Sequence, residues 1–440
     1  MRHDEQVDMS LAYMLEPEGT GFNIPLAISL KGPIELNLLE QSIRKVISKC
    51  EILRSNYLMH GMEVVQKIKE ESDFIMEYED MDTDDLNDVI NKFIRSFVLE
   101  EDSLIRAKII RIAEDDHVLI FDVHHIIMDG LSLEQMVKKI LLEYQKVEVP
   151  YERLQFKDYA VYQRENIEQN NKNKEYWRNQ IDSSVQVLQL GESDQRGRVV
   201  SQSGSNLKYN LDNELSDKIH QFLKDHDCTK FQFMMAAYYL TLAELSGQTD
   251  IVVGAVTTGR DRIELKDMIG LFIKTLPIRI QADKDMDLEQ ILVLTKKVIL
   301  EAIDHQNISF QELVKQSGVA TLPGHRPIFD VAMVVQNDQP LDTKIGDVFI
   351  SGIDIKLENT KYDLFLEVRN VPEGMQLKFE YCVDIFSETF IEEFAQRFIE
   401  NINCFLSEDQ VLLEDKVKAH ISTEDTDNFD EMELSMDFTF

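Results

Sequence analysis

The sequence predicts an α/β protein built as two lobes, and three observations predict it. Its 440 residues exceed what one hydrophobic core usually holds, so two lobes of roughly 150 to 250 residues each are expected. Hydrophobic residues make up 43% of the chain, enough for two cores. Helical and strand periodicities alternate through both halves, without internal repeats or a low-complexity linker in the body.

The elements follow in order. After the turn residues Gly32 and Pro33, Leu39, Ile43, Val46, Ile47 and Cys50 recur at helical spacing and predict an amphipathic helix. Residues 104–112 and 118–123 are rich in Ile, Val and Leu, and the polar stretch 113–116 separates them as a hairpin turn would, predicting two antiparallel strands. The second strand runs into His124-His125. A helix is predicted directly afterwards, with Ser132 and Gln135 as a capping box and Leu133, Met136, Val137, Ile140, Leu141 and Tyr144 as its buried face. The histidines therefore sit on a strand-to-helix loop. In the second half, residues 231–245 read as a helix, Ser246-Gly247-Gln248 breaks it, and Ile251-Val252-Val253-Gly254 opens a strand.

Composition excludes several function classes. The formal net charge of −35 repels phosphate backbones and anionic lipid, so neither nucleic acid nor a membrane is an expected partner. No apolar run approaches the roughly 20 residues of a membrane-spanning helix. The acidic N-terminus lacks the basic flank and apolar stretch of a signal peptide, which predicts a cytoplasmic protein. Cys50, Cys228, Cys382 and Cys404 are too far apart in sequence for a metal or redox motif and are expected as reduced thiols, with no metal site.

The segment His124-His125-Ile126-Ile127-Met128-Asp129-Gly130 carries the chemistry. Such a cluster would arise by chance on the order of once in a thousand chains of this length. An imidazole can accept a proton from an amine, hydroxyl or thiol nucleophile at neutral pH, and His125 is the candidate. Asp129 is suited to fixing the loop by pairing with an arginine, and Gly130 leaves room for a substrate. With neither a nucleophile elbow nor a Gly-rich phosphate loop in the chain, acyl transfer without a covalent enzyme intermediate is the simplest chemistry left.

At these residues the chain resembles the condensation domains of nonribosomal peptide synthetases, whose signature is HHxxxDG within the chloramphenicol acetyltransferase fold. The resemblance spans nearly the whole chain. It continues in LEPEGTGFNIP near the start, KCEILRSNY at Lys49, FKDYAVYQ at Phe156 and EYWRNQI around Trp177. It extends through SGQTDIVVGAVTTGR from Ser246 to Arg260, IGLFIKTLPIRI from Ile269, HQNISFQELV from His305 and PIFDVAMVVQN from Pro327.

The resemblance implies a V-shaped pseudo-dimer of two acetyltransferase-like lobes, residues 1–175 and 176–420, with the histidine loop at their junction and a tunnel entered from opposite faces. Donor and acceptor carrier proteins would each present a thioester on a phosphopantetheine arm, and no cofactor would be bound directly. The acceptor amine would attack the donor carbonyl to form a peptide bond. By carry-over, His125 would be the catalytic or positioning histidine, His124 a structural partner and Gly130 a lining residue. Asp129 would form a structural ion pair, with Arg279 as the preferred partner and Arg54 as the other candidate. Tyr159, Trp177, Phe329 and Asp330 are read as packing and hydrogen-bonding residues.

The chain departs from the family pattern at three places. Lys49-Cys50-Glu51 stands for Arg-His-Glu, and Phe272-Ile273-Lys274-Thr275 stands for Phe-Val-Asn-Thr, which puts Lys274 where it would alter the tunnel. The first motif survives weakly from His3 to Asp8, with Gln6 in place and Asp8 where arginine is common, at an expected N-terminal strand. The doubled histidine argues against a heterocyclisation domain, and Leu131-Ser132-Leu133 lacks the Ser-Trp pattern of an epimerisation domain. HHIIMDGLS most resembles the variant that joins two L-residues. No adenylation or carrier motif occurs, so carriers must come from elsewhere, and the chain is expected to be a monomer. Two rivals remain: a catalytically silent recruitment domain, and a release enzyme that makes an amide or ester with a free acceptor.

Residues 421–440 hold seven acidic residues and no Lys or Arg. Within them Met432, Leu434, Met436, Phe438 and Phe440 alternate with polar residues, a period-two pattern that predicts strand addition to a partner. The pattern is similar to acidic docking motifs that β-hairpin docking domains bind. The other readings are a tail packed on its own body or a cut linker.

Overall fold

Alternating apolar runs along both halves of the chain build two six-stranded mixed sheets. The computed structural model describes residues 4–418, apart from 16, 61–62, 82–84, 152, 192–195, 198–199, 337–341, 356–358 and 408–410. The tail residues Met432, Leu434, Met436, Phe438 and Phe440 lie outside the described residues.

The first half forms α1 (Asp4–Leu15), β1 (Asn23–Lys31), α2 (Leu36–Lys49), β2 (Ser55–His60), β3 (Glu63–Ile68), β4 (Met76–Asp80), α3 (Leu86–Phe93), β5 (Ile105–Ala113), β6 (Asp116–His124), α4 (Gly130–Tyr144), α5 (Phe156–Glu165) and α6 (Ile167–Gln180). The second forms β7 (Gly204–Leu211), α7 (Asn213–Asp225), α8 (Lys230–Ser246), β8 (Asp250–Thr257), β9 (Lys274–Gln281), α9 (Leu288–Asp304), α10 (Phe310–Ser317), β10 (Val331–Gln336), β11 (Thr343–Ile345), β12 (Val348–Ile353), β13 (Leu364–Val371), β14 (Gly374–Cys382) and α11 (Glu388–Leu406).

The first sheet runs β11-β12-β1-β6-β5-β4. Strand alternation sends Leu119 and Phe121 of β6 to one face, where they meet the buried sides of α2 and α4. Val118 and Ile120 point the other way, against Val89, Ile90 and Phe93 of α3. The expected hairpin is β5–β6, antiparallel, with Ile105 opposite Val123 and a register shift near Arg111. The second sheet runs β7-β14-β13-β10-β8-β9, with β10 parallel to β13 and to β8. Every residue of α8 from Gln232 to Leu245 is buried. This helix is therefore apolar nearly all round, as a central helix must be. Gly247, in the left-handed region at φ 70°, ends it as the sequence break predicts.

Two expectations change. Residues 4–15 are a helix where an N-terminal strand was expected. Their run of Glu, Gln, Met, Leu and Ala, free of Gly and Pro, favours that conformation. The helix after the histidines begins one turn before the Ser132–Gln135 capping box, because Asp129 is the N-cap and accepts a 2.7 Å hydrogen bond from the Ser132 backbone N–H.

The strands of the second sheet all come from the second half of the chain, but the first sheet does not come from the first half alone. The strand β12 pairs with β1, Ala27 opposite Ile353, so residues beyond 340 complete the first sheet. Leu265, Met268, Ile269, Leu271 and Phe272 also pack in the first core, immediately before Lys274 opens β9 in the second sheet. Among the described residues no helix is long and apolar enough to cross a membrane. All four cysteines are free thiols, with Cys50 and Cys382 buried.

Candidate active site

The strand β6 ends at His124, a single 3-10 turn covers His125–Ile127, and α4 starts at Gly130. Backbone bonds fix the start of this turn: the His124 N–H donates to the Leu104 carbonyl at 2.9 Å, and the His125 N–H donates to the Phe22 carbonyl at 2.8 Å. The Nδ1 of His124 accepts from the Ile126 N–H at 3.1 Å, which assigns the proton of this ring to Nε2. Around the buried His124 lie the rings of Tyr13, Phe22 and Phe97, with centroids 5.8 to 6.3 Å away. Burial, joined by the charges of His125, Lys361 and Arg106, pushes its pKa down to about 3. A neutral, fully enclosed ring suits a scaffold.

His125 differs from its neighbour in keeping partial access to solvent. Its pKa is also pushed down to about 3, by burial first and then by the charge of Lys361. Its Nδ1 is sealed from solvent and makes no hydrogen bond of normal geometry with any described residue. Lys361 is exposed, and the protein atoms packed around it lower its own pKa. Its neighbour Thr360 donates from its backbone N–H to the Gln202 carbonyl at 2.9 Å, and the Gln202 side chain lies against Gly21, next to Phe22. The second lobe thus comes up against the segment whose Phe22 carbonyl holds the histidine turn. Gly130 is exposed, and a Cβ added there would meet nothing within 4 Å.

Asp129 ties the turn to residues more than 130 positions away. Its Oδ1 pairs with Nη2 of Arg260 at 3.3 Å, and both side chains are only 4% exposed. Its Oδ2 accepts from the backbone N–H groups of Phe272 at 2.9 Å and Ile273 at 3.2 Å. Arg260 also donates to Ser132 Oγ at 2.7 Å and to the Met268 carbonyl at 2.7 Å, and its guanidinium lies 4.1 Å from the centre of the Phe272 ring. Ser132 Oγ in turn donates to the Gly270 carbonyl at 2.7 Å.

The structure corrects both arginine assignments. Arg279 stands on β9, opposite Val252, and binds Asp250 on the adjacent strand at 2.7 and 2.9 Å, with Asp182 at 3.2 Å and Ser184 at 2.8 Å. The apolar run before it does lead into a sheet, but that sheet belongs to the second lobe. Arg54 donates to the Lys69 carbonyl. Arg260 is the partner of Asp129, and its signal was the Gly-Arg pair after a strand. Gly259 sits at φ 62°, where a Cβ would lie 1.8 Å from the Phe272 carbonyl oxygen, so only glycine permits the close approach that delivers Arg260.

Sequence reasoning missed the support that Gln6 and Asp122 give the site, whereas Asp330 and Trp177 make hydrogen bonds of the kind expected of them. Gln6, buried on α1, donates to the Ile126 carbonyl at 2.9 Å and to the Tyr57 hydroxyl at 2.6 Å. Two residues before His124, the buried Asp122 accepts from Asn23 at 2.8 Å and pairs with Arg106 at 3.3 Å. Burial outweighs these partners and pushes the Asp122 carboxyl up to about 6. Asp330, read as a hydrogen-bonding residue, accepts from the Arg326 N–H at 2.8 Å and bonds His325 at 2.6 Å. Trp177 is buried in the second core and its indole N–H donates to the His305 carbonyl at 2.8 Å. Among the described residues no group of three or more His, Cys, Asp or Glu is placed to share a metal.

A family model described as Condensation domain matches residues 5–420. Bacitracin synthase 3 of Bacillus licheniformis is 30% identical over 88% of the chain, which spans 6% of that protein. Tyrocidine synthase 2 of Brevibacillus parabrevis is 31% identical over 90% of the chain, which spans 11% of it. The chain thus matches about a tenth or less of the length of these curated relatives. Among solved structures, the X-domain from teicoplanin biosynthesis aligns with a TM-score of 0.84 at 20% identity, covering 94% of this chain and 96% of that one. The condensation domain of the monacolin K polyketide synthase aligns with a TM-score of 0.80 at 20% identity, covering 92% and 97%. These likenesses show the fold.

Proposed function

This chain belongs to the condensation-domain family of nonribosomal peptide synthetases, and on that premise we propose that it joins a carrier-bound aminoacyl or peptidyl thioester to the amine of a carrier-bound aminoacyl thioester. The observation that carries the reading is His125: neutral, partly open to solvent, and held on a turn that Asp129 and Arg260 lock. With Nδ1 sealed, Nε2 is the nitrogen left to meet a substrate.

In the proposed reaction the acceptor amine attacks the donor carbonyl carbon. The N–C bond forms and the carbonyl oxygen takes the negative charge. As positive charge grows on the attacking nitrogen its proton becomes acidic enough for a weak base such as His125 to take, which orients the amine and prevents back-reaction. Collapse of the adduct re-forms the carbonyl, breaks the C–S bond and releases the donor thiolate, which receives the proton. The open space at Gly130 supports a substrate chain passing beside the turn. Phosphopantetheine arrives as part of the substrates, on donor and acceptor carrier proteins, in the cytoplasm. The acidic tail would recruit a β-hairpin docking domain through Met432, Leu434, Met436, Phe438 and Phe440.

The test is incubation of the protein with a loaded donor carrier and with acceptors both carrier-bound and free, read by mass spectrometry. Peptide product on the acceptor carrier is expected, and His125→Ala should lower it at least about 100-fold, the usual worth of general-base catalysis. Product with free amines or alcohols alone would redirect the reading to a release enzyme. No product with any acceptor would favour recruitment.

A further inference from the structure

The helix α1 touches both lobes at the site through consecutive residues. Gln6 is buried and holds the His125–Ile127 turn by its bond to the Ile126 carbonyl. One residue earlier, Glu5 forms an ion pair with Lys274, the first residue of β9 in the second sheet. The Lys274 side chain is 3% exposed and that of Glu5 14% exposed. The same helix brings Tyr13 edge-on to His124 and places Val7 in the first core. Lys274 follows the segment whose Phe272 and Ile273 N–H groups bind Asp129.

We propose that Lys274 is a positioning residue for His125, acting through Glu5 and Gln6 so that α1 straps the histidine turn to the second lobe. The inference rests on the proposed function only for its catalytic consequence. Its physical basis is that either charge of a buried ion pair, left in the interior without the other, is strongly unfavourable. A helix held on the turn by an amide and on the opposite lobe by such a pair cannot slide or tilt without breaking one of them.

The experiment is hydrogen–deuterium exchange of the full chain without substrate, comparing wild type with Lys274→Met, Glu5→Gln and Lys274→Arg. In Lys274→Met, exchange should rise about 10-fold or more both in peptides covering 4–15 and in peptides covering 119–128. Peptides from β13 and β14 should not change. Glu5→Gln, which keeps the shape of the side chain, should show the same pattern more weakly and serves if Lys274→Met does not fold. Lys274→Arg should behave as wild type. A rise confined to 4–15, or one spread evenly over the molecule, would overturn the proposal. Because no substrate is present, an inactive protein leaves this readout intact and counts only against the proposed function. With active protein, Lys274→Met should lower kcat while KM stays within about twofold.

Discussion

At the scale of single residues, the site separates two neighbouring histidines by what surrounds them. His124 has a bonded Nδ1 and three aromatic walls, whereas His125 keeps solvent access and a free ring edge. Replacing Gly130 tests that division, because its added side chain meets no protein atom within 4 Å. Gly130→Leu should fold with a melting temperature at or slightly above wild type, since leaving glycine in a helix gains about 0.5–1 kcal/mol. Product formation should nonetheless fall sharply as the side chain fills the space beside the turn. A leucine variant as active as wild type would show that substrate passes elsewhere. Asp129 supplies the contrasting case, since its removal strands a buried guanidinium. Asp129→Ala should lose about 3–5 kcal/mol in denaturant unfolding, whereas truncating Lys174, whose ion pair with Glu312 leaves the two side chains 41% and 36% exposed, should cost about 0–1 kcal/mol.

Among elements, the decisive one is the segment from Arg260 to Lys274, which leaves β8, packs in the first core and returns as β9. Gly259 makes the approach possible, and Gly346 offers a control at a similar positive φ with nothing near its missing Cβ. Gly346→Ala should cost only the roughly 1–2 kcal/mol of a left-handed alanine. Gly259→Ala adds a clash with the Phe272 carbonyl and should cost more, with loss of activity as Arg260 withdraws from Asp129. Equal melting temperatures for the two variants would refute this account. Most elements were legible in the sequence because their burial is local and periodic: α2, the β5–β6 hairpin, α8 and its glycine stop all follow from their own residues. The helical N-terminus was not, nor was the early start of α4. Short polar stretches are decided by the partners they cap and contact.

For the whole molecule, pH acts through opposed groups. Asp122 has a folded pKa near 6, above the unfolded 3.8, so the native state holds its proton more tightly. The stability it contributes is full below about pH 4 and is lost as pH rises through 6, with a slope of at most about 1.4 kcal/mol per pH unit. The two histidines, depressed to about 3, work in reverse: their contribution is present above pH 6.5 and lost as pH falls towards 3. Asp122→Asn should therefore gain on wild type in melting temperature as pH rises from about 4 to 6.5. A constant difference over that range would remove Asp122 as the cause. Deleting residues 421–440 should leave the melting temperature unchanged and weaken transfer between separate subunits; unchanged transfer with every candidate donor would discard the docking role. The sequence by itself determined the α/β class, the two-lobed size and the turn that carries His124, His125, Asp129 and Gly130, because these depend on periodicity and on residues close together in the chain. Only the tertiary structure decided that Arg260 and not Arg279 meets Asp129, that β12 completes the first sheet, and that α1 bridges the lobes. Each of those is a pairing between residues over a hundred positions apart, and several arginines offer the same chemistry; what selects among them is the path of the backbone.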